Sequence, residues 1–172
     1  MFRRISEEEQ INRFLCVYRE VTGEGLTLLG HHDRPDFLCR REAGGDVGVE
    51  VTIITRPPHE SFFDDALNGV RTMDADDAVA MIFDQVQRKE HLRNSLGWHL
   101  PNNCILLLSI PDCRLSDIAD IFLPDDFQDN GFEEIWIADH TEIEEYGEIE
   151  LFGLKPLNFW GHHRRDRSKP FG

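Results

Sequence analysis

Two acids in this 172-residue chain, Asp36 and Glu50, have types and a spacing that could do chemistry. They flank a glycine turn in RPDFLCRREAGGDVGVEVT, residues 34–52. Each stands in an otherwise strand-like run. Strand alternation puts Val47, Val49, Val51 and Ile53 on one face and Gly48, Glu50, Thr52 and Ile54 on the other. A hairpin centred near Gly44 pairs Asp36 close to Val51 or Thr52, and a shift of a residue or two sets it beside Glu50. Carboxylates that close repel, so one takes up a proton or both hold a cation. Two hard oxygen ligands with positions left for water suit Mg²⁺, with Mn²⁺ as a substitute. An ion held so can activate water and screen a phosphodiester. The plainer alternative is an edge hairpin whose acids are solvated.

The order Pro35-Asp36 … Glu50-Val51-Thr52, behind an N-terminal helix, resembles the PD-(D/E)XK nuclease superfamily. That superfamily has a core of helix, three-stranded meander, helix and strand, and residues 6–110 read in that order. The resemblance implies a restriction-endonuclease-like α/β fold of three layers, with a central mixed β-sheet flanked by helices. It implies that Asp36 and Glu50 bind the divalent metal, with the Val51 carbonyl as an additional ligand. The lysine expected two residues after the second acid is Thr52 here. In some branches that lysine sits on the following helix, with a glutamine also lining the site. Lys89 and Gln85, in the segment QVQRK, fill those places. Lys89 shares the apolar stripe of Val79, Ile82, Phe83 and Val86. The alternative for Lys89 is a snorkelling side chain near a helix C-terminus, favoured by the helix dipole. Glu20 is the positional candidate for an acid from the first helix, but it lies opposite that helix's apolar face.

The elements that must position these residues follow from periodicity. Residues 6–21 read as a helix, with Ser6 and Glu9 as a capping box and Ile11, Phe14, Leu15 and Tyr18 as its apolar stripe. Glycines 23 and 25 end it. Three strands follow, at 26–29, 36–40 and 47–54, the last two joined by a turn at 42–46. Residues 59–73 are a loop or an irregular short helix. Asp74 or Asp76 caps a long helix running to about Leu96. The run NCILLLSI, 103–110, is a buried central strand. A short helix at 114–122 and strands at 134–138 and 148–152 complete a single domain spanning 1–155. Residues 156–172 read as a basic, flexible tail.

Composition sets the surroundings. Net charge is −15, and residues 112–155 carry fourteen acids against two bases. Such a surface repels phosphate at long range. It points to a solvated, solubilising face, or to a basic protein partner, as an immunity protein meets a toxin, or to DNA mimicry. The nuclease reading makes DNA or RNA the partner. A catalytically inactive domain of the same fold, binding a basic protein, is its alternative. The four cysteines have neither CxxC nor zinc spacing and read as free thiols. With no apolar run of membrane-spanning length and no secretory leader at the start, the expected location is cytoplasmic. His31 and His32 precede the Asp36 strand as loop residues or proton shuttles. His162 and His163, beside Arg164 and Arg165, belong to a tail that is either a loose end or a nucleic-acid contact. Trp98, Trp136 and Trp160 read as packing residues.

Overall fold

The computed structural model describes residues 5–55, 73–141, 143 and 147–164. The expected loop or short helix at 59–73 falls almost entirely outside them. Helix α1 spans Glu7–Thr22. Ser6 caps it, its hydroxyl accepting from the Glu9 N–H at 3.1 Å, and three glutamates in the first turn complement the dipole. Gly23 closes it at φ 77°, a left-handed conformation that a side chain would strain. The buried face is Ile11, Phe14, Val17 and Tyr18, so Val17 replaces the expected Leu15, which is only half-buried.

Strands β1 (Leu26–His31), β2 (Phe37–Arg41) and β3 (Asp46–Ile53) form an antiparallel meander. Helix α2 (Ala75–Arg93) crosses to β4 (Cys104–Ile110), parallel to β3. A single helical turn, α3 (Leu115–Ile118), leads through a 3₁₀ turn to β5 (Glu134–Asp139), parallel to β4. Strands β6 (Glu150–Lys155) and β7 (Gly161–His163) add antiparallel. The seven strands lie side by side in chain order, giving a mixed α/β sheet. Helical connections join the parallel neighbours, as a crossover requires.

Two apolar layers fill the faces. Helix α1 packs with Val47, Val49, Val51, Ile105, Leu107 and Trp136 on one side. Helices α2 and α3 pack with Cys104, Leu106, Leu108, Ile135 and Ile137 on the other. β4 is buried along its whole length because both faces are covered, hence its continuous apolar run.

The flexible-tail expectation fails for 157–163. Phe159 stacks on Trp136 at 5.5 Å between centroids, and Trp160 meets Phe152 edge-on at 5.1 Å. These aromatic contacts hold the segment against the sheet and let a three-residue strand form. The long helix also ends earlier than expected, at Arg93, whose guanidinium turns back to bond Glu90 and the Pro101 carbonyl. The acid-rich block is not wholly solvated either. Glu134 and Asp139 are buried, and Asp139 caps α3 by accepting from the Leu115 N–H at 3.0 Å.

Gly48 of β3 is a steric requirement. A Cβ there would lie 2.3 Å from Pro35 Cγ. Gly48→Ala should therefore cost about 1–3 kcal/mol by overpacking and push the Pro35-Asp36 pair off the sheet. Urea unfolding of the variant, read beside its divalent-ion affinity, checks both effects.

Candidate metal and phosphodiester site

The β2–β3 register settles which residues meet. Phe37 pairs with Val49 and Leu38 with Gly48, so continuation of the ladder sets Asp36 opposite Glu50. Both lie on the α2 side of the sheet, because Phe37, Cys39, Val49 and Val51 fill the α1 side. The acids are not those of a solvated edge hairpin. Glu50 is 6 % exposed.

Hydrogen bonds tie the pair together. The Asp36 N–H donates to Glu50 Oε1 at 3.2 Å, and the Val51 N–H donates to Asp36 Oδ2 at 2.9 Å. One residue's N–H and C=O point to the same side of a strand, so the Val51 carbonyl also faces the Asp36 side. Burial, followed by a hydrogen bond shared with Glu50, pushes the Asp36 carboxyl up to about 7. The Val51 N–H opposes the shift, while the charges of Glu50 and Glu7 add to it.

Lys89 comes from α2, which runs above this face with Ala78, Val79, Ile82 and Val86 buried beneath it. Its ammonium donates to Glu50 Oε2 at 2.8 Å. The stem passes along the apolar stripe and the head reaches the acid pair, as long cationic side chains do when polar groups lie at the edge of a core. Phe83 is the exception in the expected stripe. It is turned outward and stacks on Phe122 and Phe127.

The structure thus brings together Asp36, Glu50, Val51 and Lys89. Gln85 is half-buried one turn before Lys89 and makes no hydrogen bond to the site among the described residues. Glu20 is exposed on a helix that covers the opposite face. Of the α1 acids, Glu7 in the first turn adds the smallest of the effects that raise Asp36. Its position on an exposed N-terminal turn gave no periodic signal. His31 lies against Phe37, and His32 accepts from the Arg34 N–H and stacks near His99, so neither bonds the acids. His162 pairs with Glu150 at 3.1 Å on β6, away from the acids. Thr52, at the expected lysine position, is buried with its hydroxyl unpartnered among the described residues.

The donor set fits a hard divalent cation. Burial, then the hydrogen bond with Glu50, raises the Asp36 carboxyl, and a cation between the two acids would favour the ionised form. No cluster of three or more His, Cys, Asp or Glu with metal-holding geometry occurs among the described residues. Among the described residues, the further ligand would be the Val51 carbonyl, with water completing the set.

The Asp36 shift has a measurable sign. An acid whose folded pKa lies above its ordinary 3.8 binds its proton more tightly in the folded chain. Stability from Asp36 is therefore greatest below about 4 and is lost as pH rises toward 7. Burial, and then the Arg13 charge, pushes His140 down to about 4, so His140 works in the opposite sense below its ordinary 6.5. The difference between wild type and Asp36→Asn isolates the acid. Asn can still accept from Val51 and donate to Glu50. In chelator, Asp36→Asn should be the more stable protein at pH 8, with the gap closing by pH 4. Thermal midpoints across that range check it, and equal midpoints at pH 8 count against the shared-proton pair.

Comparisons with protein-family models, curated proteins and solved structures found no match.

Proposed function

We propose that this chain is a metal-dependent phosphodiesterase of the nuclease type, with Asp36 and Glu50 as ligands of Mg²⁺ or Mn²⁺ and Lys89 as the displaced catalytic lysine. The layering of the PD-(D/E)XK fold belongs to the same proposal. It is supported by a seven-stranded mixed sheet with helices on both faces and the acid pair at the β2–β3 hairpin. The observation that carries the reading is the ammonium of Lys89 at 2.8 Å from Glu50, whose other oxygen accepts from the Asp36 N–H at 3.2 Å. Three groups from three elements converge, and the cation replaces the charge that Thr52 lacks.

A divalent ion bound here supplies Lewis acidity and a more acidic water. Asp36 and Glu50 would hold it at the β2–β3 hairpin. Lys89 holds positive charge where the phosphoryl oxygens gain negative charge. A positioned donor of this kind contributes about 10²–10³ in rate. Incubation with single- and double-stranded DNA and RNA, with and without Mg²⁺, tests the activity. Metal-dependent cleavage that is lost in Glu50→Gln supports it. Cleavage undiminished in that variant assigns the activity elsewhere.

A second reading is a catalytically inactive acidic domain that binds a basic protein. Lys89 already neutralises Glu50 without a metal, and net charge is −15. Failure to bind any divalent cation favours it.

A further inference from the structure

We propose that the groove between the outer side of α2 and the 122–130 loop receives a basic segment of a partner protein, one presenting an apolar side chain among lysines or arginines. The groove has a volume of about 520 Å³ and is lined by Phe83, Val86 and Phe127 with Asp84, Asp126 and Asp129 around them. That volume lies within the range of roughly 300–1,000 Å³ typical of binding clefts. None of its lining residues is basic.

Two features choose the occupant. The first is the floor. Phe83 is 39 % exposed on α2, with its ring 4.8 Å from Phe127 and 6.0 Å from Phe122. Leu123, next in sequence to Phe122, is 63 % exposed. Phe122 and Phe127 are buried, so Phe83 and Leu123 are the apolar area left for an anchor, on a helix whose other side is core. The second is the rim. Asp84 and Asp129 are exposed, and Asp84 makes no ion pair with a described residue. Asp126 is committed to capping the turn at the Leu123 N–H, 2.7 Å away. A phosphate backbone is repelled by such a rim, whereas lysine or arginine is attracted. Charge complementarity therefore selects a basic polypeptide, and the aromatic floor selects an apolar residue within it.

This surface deepens the partner-binding reading and operates equally in an active nuclease, since Asp36, Glu50 and Lys89 do not line it. Two labelled synthetic helical peptides of equal positive charge are compared by fluorescence anisotropy at physiological salt. One carries leucine at i, i+3, i+4 and i+7 among lysines, and the other has serine in place of each leucine. The leucine peptide should bind the full-length protein at least about tenfold more tightly. Phe83→Ser and Asp84→Lys should each weaken it by about tenfold and leave divalent-ion binding unchanged. Asp84 is an exposed helix residue, so its variant reads the surface even if Phe83→Ser unfolds. Equal binding of the two peptides, or undiminished binding to Asp84→Lys, overturns the proposal.

Discussion

Lys89→Met is expected to lower metal-dependent hydrolysis by about 10²–10³-fold and to destabilise the fold by up to about 3–5 kcal/mol. Both effects have one origin. The ammonium is the counter-charge for Glu50, which is buried, and the pair is closed to 2.8 Å. Removing one member of a buried pair leaves the other charge desolvated without compensation. The Lys89 side chain keeps 20 % of its surface exposed, which places the stability cost at the lower end of that range. Methionine retains the stem's packing on α2, so the loss reports the charge rather than a cavity. Adding Thr52→Lys to the Lys89→Met protein should recover part of the activity. Thr52 shares the strand face of Glu50, and its hydroxyl has no partner that lysine would displace. Single-turnover cleavage and urea unfolding measure the two effects separately. Wild-type rates in Lys89→Met would show that the lysine only neutralises Glu50.

The second large effect lies on the opposite face, away from the acid pair. Glu134→Ala should cost about 3–5 kcal/mol, a fall in thermal midpoint of order 10 °C for a chain this size. Glu134 accepts from the Tyr18 hydroxyl at 2.9 Å and 3.0 Å, from Trp136 Nε1 at 2.9 Å and from the Arg41 guanidinium at 2.8 Å. Desolvation by burial, with the Glu134 charge next, pushes the Tyr18 phenol well above its ordinary range. Deleting the carboxylate strands two buried donors, Tyr18 and Trp136, and takes the nearest partner from a cation whose side chain is 15 % exposed. Arg41 retains weaker contacts to Glu24 and Glu133, which limits the loss. Glu134→Gln, which keeps an acceptor but not the charge, should fall between wild type and Ala. Divalent-ion binding should survive in both, provided unfolding is kept below the assay temperature. A cost under about 1 kcal/mol for Glu134→Ala would fit an exposed ion pair rather than this network.

These two networks differ in how far they could be read from the chain. Lys89 was reachable because helical period and the apolar stripe of α2 are local signals, and β3 alternation likewise assigned Glu50 to the face of Thr52. The register was open by a residue or two, since a turn with two adjacent glycines closes in more than one way. Glu134 gave no comparable signal. Its partners Tyr18 and Arg41 stand 116 and 93 residues away, and only the folded sheet brings them together. Periodicity puts Phe83 in the core, but the stripe 79, 82, 83 and 86 is wider than the surface the sheet offers to α2, and Phe83 stays outside. β7 has no signal in the sequence, because GHHRR reads as a charged end and the aromatics that seat it, Phe159 and Trp160, act through packing rather than pattern.

The acid pair is tested most directly by titrating Mn²⁺ calorimetrically into the metal-free protein at pH 8 and into the Asp36→Ala/Glu50→Ala double variant. The wild type should bind one ion with an affinity that rises with pH, as the shared proton must leave. The double variant should show no heat above dilution while keeping its far-UV spectrum. Equal binding by the two proteins, or none by a folded wild type, contradicts a divalent-cation site built from Asp36 and Glu50.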